Sequence, residues 1–239
     1  MSDIQNAFRL IGSLDLTSLS HDDTEEKIAA LCAKAVTPYG TTAAVCVYPE
    51  WVPLARKLLK KTPVKVATVV NFPAGGNDFK LMKDEIKKGL SGGADEIDAV
   101  FPYRDFLAGN TDSCRRFLDI IQRECGKHTS KIILETGELN HVSTIAAAVK
   151  LCLEYDIDFI KTSTGKTPVS ATVGAANIIL ETIRDSGRDV GFKASGGIRE
   201  FEEARKYLIL SEVILGADWP DPAPVSYTHL RAHETGAYL

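Results

Sequence analysis

Residues 158–166 read DFIKTSTGK, a short β-branched and aromatic run with a lysine inside it and a Gly-containing turn behind it. The next stretch, 171–186, has the apolar spacing of a helix that lies against something. A strand followed at once by an amphipathic helix is half of a βα unit, and the half-unit recurs along the chain. Candidate strands fall at 14–16, 43–48, 64–71, 96–101, 131–135, 158–163 and 190–194. Helical spacing falls near 22–36, 50–61, 78–91, 112–126, 141–155, 171–186 and 200–211. Seven strands alternating with seven helices predict an α/β fold with a parallel sheet, of the (β/α)8 TIM-barrel type. Asp23-Thr24 and Asn77-Asp78 mark helix starts, and glycines at 40, 92, 93 and 187 stand where helices should stop. No linker divides the first 218 residues, so they read as one domain.

Side chains alternate faces along a strand, so residues two apart point the same way. One face of each run is apolar and suits packing under outer helices. The other carries Cys46, Asn71, Asp98, Glu135, Lys161 and Lys193. A barrel turns that set inward, near the C-terminal strand ends where barrel enzymes place their chemistry. For any one charged residue a structural salt bridge is the plain explanation. Four of them converging on one cavity point to a site, because each is expensive to bury alone.

A lysine becomes a nucleophile when burial or a nearby positive charge leaves it unprotonated. Two strand lysines facing one another, Lys161 and Lys193, supply both conditions. Asp98 would handle protons as base or relay. This is equipment for imine chemistry that calls for no metal and no cofactor. A merely structural pairing of Lys161 with Asp98 stays open on the residues alone. After these strands come Ser163-Thr164-Gly165-Lys166 and Ser195-Gly196-Gly197-Ile198-Arg199. Glycines there let backbone N–H groups approach an anion, and Lys166 and Arg199 add positive charge, which suggests a phosphorylated substrate.

Composition narrows the alternatives. Apolar residues are 44% and charged residues 25% of 239, enough for one sizeable core. A net charge of −4 without a basic run gives no footprint for nucleic acid. No apolar stretch approaches the roughly 18 residues of a membrane helix, and the first residues lack a signal-peptide core. The five cysteines include no CxxC pair and read as buried thiols in a reducing compartment, the cytoplasm by default.

The segments LDLTSL (14–19), AAVCVYP (43–49), ADEIDAVFPYR (94–104), KIILETGEL (131–139), DFIKTSTGK (158–166) and VGFKASGGIR (190–199) resemble those of the deoxyribose-phosphate aldolases, in order, from about residue 8 to Asp218-Trp219. The resemblance implies the eight-stranded barrel and reversible cleavage of 2-deoxy-D-ribose 5-phosphate to glyceraldehyde 3-phosphate and acetaldehyde. It implies Lys161 as the Schiff-base lysine, Lys193 as the lysine that keeps it neutral, and Asp98 as the proton relay. Asp15 and Thr17 would lie near Lys193 and the substrate hydroxyls. Cys46 would line the pocket, and Gly165, Lys166, Gly196, Gly197 and Arg199 would grip the phosphate. Family members are often dimers or tetramers.

Two departures stand out. Where the family has Lys-Pro-Ala-Gly-Gly, this chain has Lys193-Ala194-Ser195-Gly196-Gly197. After Trp219 the family continues into an eighth strand, a Gly-Ser-Ser turn and a last helix, whereas this chain reads PDPAPVSYTHLRAHETGAYL. Three prolines in five residues argue against a central strand. We therefore expect 1–219 to form the aldolase barrel and 220–239 to be foreign to it. The native eighth strand and helix would then be missing, with a seam open between the seventh and first strands. A continuous native frame at the genomic locus would refute the foreign origin. His229 and His233 have the spacing of a metal pair but no acidic partner motif. The competing readings are another lysine-dependent barrel lyase, of the transaldolase or fructose-bisphosphate type, and an inert barrel that binds phosphosugar without turning it over.

Overall fold

The computed structural model describes residues 2–216 and the backbone of 225–228. The boundary expected near Pro220, the last helix, His229 and His233 lie outside the described residues. Eight parallel strands close into a barrel: β1 (Leu14–Thr17), β2 (Ala44–Val47), β3 (Lys65–Val70), β4 (Glu96–Val100), β5 (Thr129–Ile133), β6 (Phe159–Lys161), β7 (Gly191–Ser195) and β8 (Val225–Thr228). Helix α1 (Asp3–Ser13) precedes β1. The helices after the first seven strands are α2 (Glu25–Lys34), α3 (Val52–Leu59), α4 (Phe79–Gly92), α5 (Thr111–Cys125), α6 (Val142–Cys152), α7 (Val173–Ser186) and α8 (Phe201–Leu215). All seven expected strand–helix pairs are present.

Local chemistry sets the boundaries. Thr24 and Asp78 cap α2 and α4, their side chains accepting from the Lys27 and Leu81 amides. Gly93 ends α4 at φ 99°, a conformation that costs glycine nothing. Gly40, expected to end a helix, instead sits in a small hairpin (Val36–Thr37 with Gly40–Thr41) between α2 and β2. The helices bury their apolar faces on the outside of the barrel. α5 alone contributes Cys114, Phe117, Leu118, Ile120, Ile121 and Cys125, with Phe117 edge-on to Phe101 at 5.9 Å. All five cysteines are buried and unpaired, and burial pushes the Cys114 thiol up to about 12.

The expectation of an open seam is corrected. Val225–Thr228 takes the eighth-strand position and closes the barrel. It pairs in parallel with β7 (Val225 with Phe192, Thr228 with Ser195) and with β1 (Leu14 with Tyr227, Asp15 with Thr228). The prolines at 220, 222 and 224 all precede this segment, so they cost the ladder no N–H. The segment itself, Val-Ser-Tyr-Thr, is largely β-branched and aromatic, which suits a short strand. Two exposed edges with unmet backbone groups supply the incentive to fill the gap.

Candidate active site

Strand alternation divides the barrel interior. β2 and β3 line one side with Ala44, Cys46, Ala67 and Val69, which pack with Leu19 from the loop after β1. The other side is ionic. Lys161, at the end of β6, donates to Asp98 Oδ2 at 2.8 Å. Asp98 Oδ1 faces Lys131 of β5 at 2.9 Å. Lys131 also reaches Asp15 at 3.0 Å and Glu96 at 2.5 Å. Asp15 in turn pairs with Lys193 of β7. The Thr17 hydroxyl, on the same face of β1, donates to the Asp15 carbonyl. The structure thus brings Asp15, Thr17, Cys46, Asp98, Lys161 and Lys193 together within the barrel, all buried.

Two members of the cluster, Lys131 and Glu96, escape the sequence reading of the site. Strand parity contains the signal, since Lys131 lies two residues before Ile133 on the inward face. A lysine opening a strand reads as a solvated end, and only closure of the barrel turns it inward.

Mutual charge sets the protonation of these groups. Burial would discharge Lys131, but Asp15, Asp98 and Glu96 outweigh it and hold its pKa well above the usual lysine value. Lys193 goes the other way: burial lowers it to about 8, with Lys131 and Lys161 helping and Asp15 opposing. Burial also works against Asp15 and Asp98, yet the lysines keep both below the ordinary carboxylate range. The Cys46 thiol is pushed up to about 12 by burial and the charge of Asp98, so it stays protonated and weakly nucleophilic.

Asn71 and Glu135 do not join this cluster, contrary to the parity expectation. Both lie just past their strands with positive φ (55° and 57°), so alternation no longer applies to them. Asn71 spans its loop, donating to the carbonyls of Gly76 and Val100. The Glu135 carboxylate accepts from the Thr164 amide and hydroxyl and from the Thr167 hydroxyl, fixing the turn that contains Gly165 and Lys166. Next to it, a Cβ on Gly137 would stand 2.3 Å from the Val169 carbonyl oxygen. Gly137→Ala is therefore expected to destabilise the protein by about 1–3 kcal/mol, the usual cost of overpacking. The readout is a lower denaturant midpoint at unchanged slope. An unchanged midpoint would mean that the 163–172 loop yields freely.

The two glycine turns adjoin one another. Ser195 laces them: its hydroxyl donates to the Ser163 carbonyl and accepts from the Ser163 amide, and its own amide donates to the Thr162 hydroxyl. Gly196 (φ 84°) and Gly197 (φ 81°) come next, and a Cβ on Gly196 would meet Ser170 and Gly165. A pocket of about 300 Å³ opens beside them, lined among others by Ser170, Thr172, Gly196, Gly197 and Lys206. Lys166 Nζ donates to the carbonyl of Leu19, in the loop after β1, at 2.7 Å. Arg199 is exposed at the start of α8, its amide donating to Glu203. Among the described residues there is no group of three or more His, Cys, Asp or Glu arranged to hold a metal, and no helix long and apolar enough to cross a membrane.

A profile of the DeoC/LacD family of aldolases matches residues 9–211. Several solved structures resemble this one along most of their length. A Coccidioides immitis protein, provisionally named a deoxyribose-phosphate aldolase, is 28% identical with a TM-score of 0.82, over 93% of this chain and 82% of its own. A Toxoplasma gondii protein with the same provisional name is 25% identical with a TM-score of 0.83, over 94% and 90%. An aldolase called QR15 is 30% identical with a TM-score of 0.79, over 92% and 90%.

Proposed function

Because the chain belongs to the DeoC/LacD family of aldolases, we propose that it reversibly cleaves 2-deoxy-D-ribose 5-phosphate to glyceraldehyde 3-phosphate and acetaldehyde through a Schiff base on Lys161. One observation carries this reading: a buried lysine ends a barrel strand 2.8 Å from a buried carboxylate, with two further lysines in the same cluster. A single buried ion pair would serve structure alone. Three lysines in contact with shared carboxylates instead suit the control of an amine's protonation.

In this mechanism neutral Lys161 attacks the C1 aldehyde carbon, and loss of water leaves an iminium. Asp98 takes the proton of the 3-hydroxyl as the C2–C3 bond breaks. The bonding pair moves into the iminium to give an enamine, and glyceraldehyde 3-phosphate leaves. The proton returns through water to the enamine carbon, and hydrolysis of the resulting imine frees acetaldehyde and Lys161. Gly165, Lys166, Gly196, Gly197 and Arg199 are the groups proposed to hold the phosphate. Lys166 would exchange the Leu19 carbonyl for it. The apolar wall of Cys46, Ala67 and Val69 suits the unsubstituted two-carbon end. The buried, unpaired cysteines suit the cytoplasm.

Incubation with acetaldehyde and cyanoborohydride should add an ethyl group to Lys161, located by peptide mass spectrometry. No adduct on Lys161 would refute the Schiff base. Cleavage of deoxyribose 5-phosphate in preference to fructose bisphosphate separates this reading from the other lysine lyases, and an adduct without cleavage would favour the inert barrel.

A further inference from the structure

We infer that Lys131 is a positioning residue of this centre, a buried ammonium that holds Asp98 against Lys161 and sets the charge felt by the other two lysines. The inference rests on the Schiff-base reading given above. Lys131 is 2% exposed and meets three carboxylates from two strands: Asp15 of β1, and Glu96 and Asp98 of β4. An ordinary buried ion pair needs one partner. Two of these three are shared with the lysines of the site, Asp98 with Lys161 and Asp15 with Lys193. Lys131 therefore bridges two carboxylate–lysine pairs held on separate parts of the barrel, since β4 and β6 flank its own strand β5 while β1 stands across the interior.

Its charge is the constant one. The groups facing it are Asp15 from β1, Cys46 from β2, Glu96 and Asp98 from β4, and, through their shared carboxylates, Lys161 and Lys193. The three carboxylates keep Lys131 protonated through the range in which Lys193 titrates. A fixed positive charge at this distance favours the neutral form of a neighbouring amine. It also engages Asp98 Oδ1, so the two oxygens of that carboxylate are divided between Lys131 and Lys161.

The pH dependence of acetaldehyde trapping on the full chain tests this, with the rate of Lys161 ethylation followed by mass spectrometry. In Lys131→Met the midpoint of the rise with pH is expected to move up by about one unit, so that trapping below the midpoint slows roughly ten-fold. Because that variant leaves three carboxylates facing two lysines, Lys131→Met/Glu96→Gln is measured beside it. This second variant retains two balanced pairs, Asp98 with Lys161 and Asp15 with Lys193, and is expected to shift in the same direction by less. If Lys131→Met does not fold, the double variant decides. A role confined to structure would lower the denaturant midpoint and leave the trapping midpoint where it is. An unmoved trapping midpoint in the folded variants overturns the inference. Failure of the wild-type protein to acquire any adduct on Lys161 overturns the Schiff-base reading instead.

Discussion

Replacing Lys161 with alanine is expected to abolish aldol cleavage, a loss on the order of 10⁴-fold or more, as when the covalent nucleophile of other enzymes is removed. The size of the loss reflects what the amine does. Without an iminium there is no electron sink, and the C2 carbanion would have to form in the open. Neither Asp98 nor Lys193 supplies that sink: Asp98 is a carboxylate, and Lys193 stands on the neighbouring strand, paired with Asp15. The fold should survive, because Asp98 keeps Lys131 at 2.9 Å and is not left as a lone buried charge. The decisive comparison is turnover and ethyl adduct in a variant whose thermal midpoint stays within a few degrees. Turnover retained at a tenth or more of the wild-type rate would move the imine to another lysine.

The chain shows openly which strands and helices exist, because hydrophobic alternation is a local signal. DFIKTSTGK and VGFKASGGIR carry both their strand character and their lysines in the same few residues. Features that depend on closure are less legible. Lys131 looks like a solvated strand end until β1 comes round to present Asp15 to it, 116 residues away in sequence. Glu135 and Asn71 keep strand parity only while the backbone stays extended. A positive φ just past the strand, one residue on at Asn71 and two at Glu135, turns both toward loops. The tail departs from its local signal for a related reason. Pro220, Pro222 and Pro224 weigh against a strand, yet the four residues behind them pair on both sides once two edges stand open to a partner. Residue type sets the local preference there, and the vacant seam overrides it.

Lys193→Leu is expected to remove most of the activity, roughly 10²–10⁴-fold, the range for a group that handles protons or steers one. Lys193 is fully buried and titrates near 8, so near neutrality it is mostly protonated but ready to give up its proton. If its charged form is the working one, kcat/KM of the wild-type protein should fall as pH rises through about 8. That limb should be missing from the residual activity of the variant. Stability gives an independent sign. The folded pKa lies below the ordinary lysine value of 10.5, so between about 8 and 10.5 the unfolded chain holds more protons than the folded one. Folding stability contributed by this group therefore rises with pH across that window, and Lys193→Leu should flatten the rise. Near pH 7 two effects of the substitution oppose each other: leucine relieves the burial of a charge, while Asp15 loses one of its two lysines but keeps Lys131 at 3.0 Å. Lost turnover with a retained Lys161 adduct and both pH signatures gone would identify Lys193 as the group that moves the proton after the imine forms. Full turnover in the variant would instead leave Lys131 as the cation on which the neutral state of Lys161 depends.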